Sequence, residues 1–458
     1  MTAHEVDVVV LGMGPGGEDA AERLATAGLS VAGVEARLVG GECPYWGCVP
    51  SKMMIRAADL LAEGRRIPGL AGRSQIYPDW APVAGRIREE ATDNWDDKVA
   101  VERFTGLGGT LFRGHGTITA PGEVTVGGDV LRARRAIIIN TGTHPFVPPI
   151  EGLAGTPYWT NREAIEATRV PGSLVVLGGG AIGAELSQVF ARFGSRVTVI
   201  EGSGRLMPPE EPEAGALLAE VFAREGIDVR TGTTAQAVHH DGTAFTLALS
   251  DGTEVTGDAL LVATGRRTDL PGIGVGAVGV DESAHAIGVD DHLRAAPGVW
   301  AVGDITGHGA FTHMSMYQAN IVVHDILGEE VSPAEYHAVP RVTFTDPEIG
   351  SVGLSEAQAR QRGLDVQTSC YPVPKSTRGW IHKAGNDGFI KLVADAGRGI
   401  LVGASSAGPA GGEVLSMLTL AVHARVPVRR LREMIYAYPT FHRTIEAALQ
   451  ELAPEKLH

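Results

Sequence analysis

An α/β chain built around two copies of one strand–turn–helix–strand unit is what the sequence predicts, on three observations. A β-rich run, Val6 to Leu11, meets Gly12-x-Gly14-x-x-Gly17, and a second run, Leu174 to Leu177, meets Gly178-x-Gly180-x-x-Gly183. Each copy then passes through a helical stretch to a strand ending on an acid: Ser30 to Val34 before Glu35, and Val197 to Ile200 before Glu201. The interval from first glycine to acid is 23 residues in both copies. One such glycine motif is weak; two copies in matching context are strong.

Each position has a physical reason. The first glycine permits the tight turn, the second lets a pyrophosphate approach the backbone, and the third allows close helix–strand packing. The helix N-terminus supplies donors and a positive dipole, and the acid accepts from ribose hydroxyls. Two Rossmann-like dinucleotide-binding domains, hence two dinucleotides, are implied. The runs Ile137-Ile138-Ile139-Asn140-Thr141-Gly142 and Leu260-Leu261-Val262-Ala263-Thr264-Gly265 read as buried strands entering tight turns, and they bracket the second unit as an insertion. Val299 to Val302 reads as a further strand, ending in Gly303-Asp304, where a carboxylate can hold a flexible polyol.

The length suggests about three domains. Apolar residues are 44% of the chain, enough for several cores, and the net charge of −15 is spread along it. That balance argues against nucleic acid or an anionic membrane as partner. No apolar run approaches the ~20 residues that span a bilayer. Met1 to Glu5 runs directly into a strand, so no leader is expected, and three cysteines are too few for a secreted disulfide framework. The expected compartment is cytoplasmic.

Two of those three cysteines stand in Gly40-Gly41-Glu42-Cys43-Pro44-Tyr45-Trp46-Gly47-Cys48-Val49-Pro50-Ser51-Lys52. So spaced, they can close a disulfide across the first turn of a helix. No further Cys or His cluster lies nearby to complete a metal site, and none is expected. Cys370, in a β-like run, reads as a core residue.

Together these motifs resemble the flavin-dependent pyridine nucleotide–disulfide oxidoreductases, the group of dihydrolipoamide dehydrogenase, glutathione reductase and mercuric reductase. The resemblance runs on through Ala263-Thr264-Gly265-Arg266-Arg267, Gly303-Asp304, Pro340 to Glu348 and Tyr438-Pro439-Thr440. It implies a homodimer with a shared active site, passing electrons from NAD(P)H through FAD to the Cys43–Cys48 disulfide and on to a small-molecule acceptor. The FAD residues it implies are Gly12, Gly14, Gly17, Glu35, Gly41, Thr141, Gly142, Asp304 and Met314. The NAD(P) residues are Gly178, Gly180, Gly183, Glu201 and Gly265. Cys48 becomes the charge-transfer thiolate and Cys43 the exchanging thiol. Lys52 and Glu185 match the ion pair near the flavin, and the Lys52 charge favours the thiolate. Glu201 favours NADH, because a carboxylate repels the 2′-phosphate of NADPH; Arg205 lies close enough to leave NADPH possible.

Three departures from the family pattern bear on the acceptor. Tyr438 and Arg443 stand where thiol–disulfide members carry a His and a Glu, and a phenol is a poor base at neutral pH. A displaced dyad, His442 with Glu446 at helical spacing, is one substitute; a surface pair is the plainer reading. Pro44-Tyr45-Trp46 between the cysteines either stacks on a planar acceptor or packs inward. Glu42 beside Cys43 is expected to raise its pKa. The C-terminus, Glu451 to His458, lacks the cysteine pair of mercuric reductase. Three functions stand open: a dihydrolipoamide dehydrogenase-like reductase, an NAD(P)H:quinone or metal-ion reductase, and a non-catalytic redox-sensing flavoprotein. The expected domains are FAD-binding at 1–150, NAD(P)-binding at 151–270, a second FAD-binding part at 271–336, and an α+β interface domain at 337–458.

Overall fold

A computed structural model describes residues 2–452; the end of the C-terminal segment named above, 453–458, lies outside the described residues. Packing divides the chain into two units. The first comprises 2–51, 85–146 and 266–336, and the second 52–84, 147–265 and 337–452. Segment 52–84, which continues the helix Cys48–Arg66 and ends inside the helix Ala81–Arg86, groups with the second unit.

In the first unit the strand Thr2–Leu11 is central, hydrogen-bonded in parallel to Val31–Glu35 on one side and Asp129–Ile139 on the other. Thr110–Arg113 forms one edge; on the other side Val299–Ala301 is followed by Arg294–Ala296, and the hairpin Gly116–Ala120/Glu123–Val126 pairs through its second strand with the start of Asp129–Ile139. Val9, Leu11, Ile137 and Ile139 face one core, while Val8, Val10 and Ile138 face Ala20 and Leu24 of the helix Pro15–Thr26. Burial on both faces is why these strands are unbroken apolar runs.

The second unit repeats the parallel arrangement with Asp228–Thr231, Arg196–Glu201, Ser173–Leu177 and Ala259–Val262 in that order. Its antiparallel sheet orders Pro340–Thr343, Glu348–Gly353, Ile400–Gly408, Phe389–Asp395 and Val366–Pro372. The helices Gly411–His423 and Thr444–Glu451 cover it with Leu415, Leu418, Ile445 and Leu449. Cys370 sits on the outermost strand and is exposed, not in the core as expected; its neighbour Ser369 takes the buried position. Among the described residues no helix is long and apolar enough to cross a membrane.

Candidate functional site

The two glycine loops fold alike. Gly12 has φ +94° and Gly178 φ +106°. A Cβ on Gly12 would lie 2.5 Å from the Asn140 carbonyl, and one on Gly178 2.3 Å from that of Ala263. Cβ atoms on Gly17 and Gly183 would fall 2.1 Å and 1.9 Å from the carbonyls of Gly12 and Gly178. No other residue fits these four places. Gly14 and Gly180 are extended N-caps without side-chain caps, so the helices Pro15–Thr26 and Ala181–Arg192 present bare N–H groups suited to a pyrophosphate.

The two acids are held by equivalent bonds. Glu35 accepts from the N–H of Met13 (2.9 Å) and of Arg37 (2.7 Å); Glu201 accepts from Gly179 (2.6 Å) and Ser203 (2.6 Å). Burial pushes the Glu35 carboxyl upward against these bonds. Arg205 donates instead to the carbonyls of Pro208 (2.8 Å) and Glu210 (3.0 Å).

Around the first loop, Gly41 (φ +69°) presses on Gly14, where an added Cβ would lie 2.8 Å from its Cα. Thr141 and Gly142 (φ +66°) follow the strand Asp129–Ile139, and Met314 is buried in the first turn of the helix Thr312–Leu327. Asp304 accepts from the Thr143 hydroxyl (2.8 Å), which in turn accepts from Arg266 Nε (2.7 Å). All nine expected FAD residues lie in the first unit, and Gly178, Gly180, Gly183, Glu201 and Gly265 (φ +125°) lie in the second. This donor set and these cradles fit two dinucleotides.

The cysteines do not span the first turn of one helix, as expected. Cys43 lies in the short helix Glu42–Tyr45 and Cys48 opens the helix Cys48–Arg66. Gly47 makes the return between them, where a Cβ would meet the Glu42 carbonyl at 3.0 Å. Both are free thiols hydrogen-bonded to each other, and the Thr312 hydroxyl reaches both, 3.4 Å from Cys48 Sγ. The hydrogen bond with Cys48, and then burial, push the Cys43 thiol well above the ordinary range; Thr312 opposes this. The direction matches the expectation, but its main causes are Cys48 and burial, not Glu42. Tyr45 is buried, with its hydroxyl on the Val39 carbonyl (3.2 Å) and its ring 5.8 Å from that of Trp46. It is a packing residue and not an open stacking platform. Thr312 and Thr143 carried no signal in the sequence.

In the second unit, Lys52 Nζ lies 2.8 Å from Glu185 Oε2 and 4.6 Å from the Phe344 ring centre. Glu185 is only 6% exposed, and its other oxygen accepts from the Phe344 N–H (2.8 Å). In the same unit Tyr438 is 64% exposed. The expected helix past Thr440 begins only at Thr444, so His442 lies outside it. The Glu446 carboxylate pairs with Arg443 (2.9 Å), whose guanidinium lies 5.2 Å from the Tyr438 ring centre. His442 instead tilts against the Tyr436 ring at 6.1 Å.

Two dinucleotide cradles and a dithiol define a redox enzyme. Residues 6–319 match the family described as pyridine nucleotide-disulphide oxidoreductase, and 339–449 match its dimerisation domain. The chain belongs to this family, whose members use FAD and a pyridine nucleotide. It is 35% identical to a mercuric reductase of Streptomyces lividans, covering 97% of this chain and 95% of that protein. It is 33% identical to a dihydrolipoyl dehydrogenase of Thermus scotoductus, covering 99% and 98%. Among solved structures it resembles the Cu(II) complex of the HOCl-induced flavoprotein disulfide reductase RclA from Escherichia coli. That likeness has TM-score 0.86 and 26% identity over 98% of this chain and 99% of that one.

Proposed function

We propose that this protein is a homodimeric, NADH-dependent flavoprotein reductase that delivers electrons through Cys48 and Cys43 to a thiophilic metal ion. The observation that carries the choice is the Arg443–Glu446 pair beside Tyr438. It occupies the carboxylate that a His442 dyad would need, which leaves dihydrolipoamide chemistry without its acid–base pair. A metal ion can dispense with such a base, because it bonds to the Cys48 thiolate directly and drives the Cys43 proton off to water as it binds the second sulfur. Tyr45 is buried, which takes one of the two rings between the cysteines away from a planar acceptor such as a quinone; Trp46 is half-buried. A mercuric reductase relative and the Cu(II) complex of RclA agree with this class of acceptor.

Gly12, Gly14, Gly17, Glu35, Gly41, Thr141, Gly142, Asp304 and Met314 would hold FAD, within domains at 1–150 and 271–336. Gly178, Gly180, Gly183, Glu201 and Gly265 would hold NADH, within 151–270; 337–458 would form the interface. Arg205, engaged on two carbonyls, supports NADH over NADPH. FAD supplies the exchange between the hydride of NADH and the electron pair of the disulfide. Cys43 keeps the proton as a thiol, Cys48 carries the thiolate, and the Lys52 charge one helical turn on favours that ionisation. Two electrons then pass to one divalent ion, or singly to two, and the disulfide re-forms with release of the thiol proton.

The test is rapid anaerobic mixing of enzyme pre-reduced with one equivalent of NADH. Hg(II) or Cu(II) should reoxidise the wild type quickly and Cys43→Ser at least tenfold more slowly, about 1.4 kcal/mol in barrier, with lipoamide nearly inert. Fast, Cys43-dependent reoxidation by lipoamide would restore the disulfide reductase reading. Equal reoxidation of both proteins by a quinone would take the dithiol off the path.

A further inference from the structure

On the same two helices as the Lys52–Glu185 pair, a charge cluster gathers around a buried arginine that the chemistry above does not use. Arg192, with a side chain 2% exposed, binds Asp59 (2.7 Å), Glu225 (2.6 Å) and Asp346 (2.7 Å). Arg66 adds a second cation to Asp346 at 2.6 Å. Between Glu185 and Arg192, Gln188 satisfies both backbone groups of Asp346: its Oε1 accepts from the N–H (2.7 Å) and its Nε2 donates to the carbonyl (2.9 Å).

The spacing gives this cluster a direction. Lys52, Asp59 and Arg66 stand seven apart on the helix Cys48–Arg66, so they share one face over four turns. Glu185, Gln188 and Arg192 likewise share a face of the helix Ala181–Arg192. The two rows meet rung by rung, Lys52 with Glu185 and Asp59 with Arg192. The segment Phe344 to Asp346 is fastened along the same row, to Glu185, Gln188 and Arg192 in turn. Its Phe344 N–H aims the Glu185 carboxylate. The Lys52 side chain is 35% exposed, and Glu185 is what holds its ammonium against water.

We infer that Gln188, Arg192 and Asp346 are positioning residues: they hold Glu185, and through it the Lys52 charge, in the place where that charge lowers the pKa of the Cys48 thiol. This rests on the reading of Cys48 as the charge-transfer thiolate. The Cys48 sulfur faces the Cys43 thiol and the Thr312 hydroxyl in its own unit, and Lys52 is the nearest cation along its helix.

The experiment is a pH titration of the long-wavelength thiolate–flavin absorbance in the two-electron-reduced holoenzyme. Lys52→Met should raise the midpoint by about one unit, a tenfold loss of thiolate at fixed pH. Gln188→Met and Arg192→Lys should raise it in the same direction by about half as much. Lys391→Met is the control; it breaks a remote buried cluster with Glu211, Glu213 and Glu356, and should lower thermal stability without moving the midpoint. Gln188→Met remains informative if Arg192→Lys fails to fold. If Lys52→Met shifts the midpoint while a folded Gln188→Met does not, the positioning role is wrong and the thiolate reading stands. If the absorbance never develops, or Lys52→Met leaves it unmoved, the reading beneath the inference falls with it.

Discussion

At Cys43 the proton is held harder than on an ordinary thiol, by Cys48 first and burial second. The thiol therefore stays protonated through neutral pH, and any exchange that uses it should accelerate about tenfold per pH unit with no plateau near the usual value of about 8.5. The Thr312 hydroxyl works against this shift. Thr312→Val should lower the rate with a small disulfide probe about fivefold, the equivalent of one net hydrogen bond of about 1 kcal/mol. Stopped-flow rates of the reduced enzyme from pH 6 to 9 give both quantities; a plateau near 8.5, or a variant as fast as wild type, would contradict the assignment. The cysteines were legible because two of three thiols stand five positions apart beside a glycine loop. Thr312 was not, because its contact with Cys48 spans 264 positions. Glu446 misled for a related reason: helical spacing paired it with His442, but the helix starts at Thr444 and the carboxylate turns to Arg443.

Elements were legible wherever stereochemistry leaves a single solution. Gly12 and Gly178 need left-handed backbone, Gly17 and Gly183 have no room for a Cβ, and the acids must reach back to the loop, so both parallel units could be read from spacing. Elements that depend on partners far along the chain were less legible. The exposure of Cys370 follows from the alternation of side chains along its strand, where Ser369 takes the inward position, a register that local composition does not reveal. The glycine loops support a sharp expectation. Gly183→Ala places a methyl group 1.9 Å from the Gly178 carbonyl, and a clash of this kind costs about 1–3 kcal/mol where the backbone can shift. NADH should bind at least tenfold more weakly, while flavin content is retained because the residues proposed to hold FAD lie in the other unit. Gly17→Ala should do the reverse and lose flavin. NADH titration together with the flavin-to-protein absorbance ratio separates the two, and loss of flavin from Gly183→Ala would contradict the assignment of its loop.

The grouping of the whole molecule depends on contacts that no local pattern encodes. Segment 52–84 follows the cysteines directly, yet it packs with the second unit through Lys52, Asp59 and Arg66, and through Trp80, whose indole donates to the Ala167 carbonyl at 2.7 Å. Assembly is the remaining question at this scale. Within the matched dimerisation domain, Trp380, Leu420, Ile435 and Tyr438 are 70%, 63%, 95% and 64% exposed, large apolar side chains of the kind a second copy covers. Ile435 makes the cleanest probe. A side chain so exposed contributes little to the fold of one chain, so Ile435→Asp should leave thermal stability within about 0.5 kcal/mol if the protein is a monomer. If two copies bury it, each loses about 1.5–3 kcal/mol of apolar burial, and a two-fold interface loses that twice. The dimer dissociation constant should then rise by at least about a hundredfold. Sedimentation velocity over a dilution series reads this directly. A wild-type dimer that becomes a folded monomer on substitution places Ile435 at the contact, whereas an undisturbed dimer moves the interface to another face of the domain.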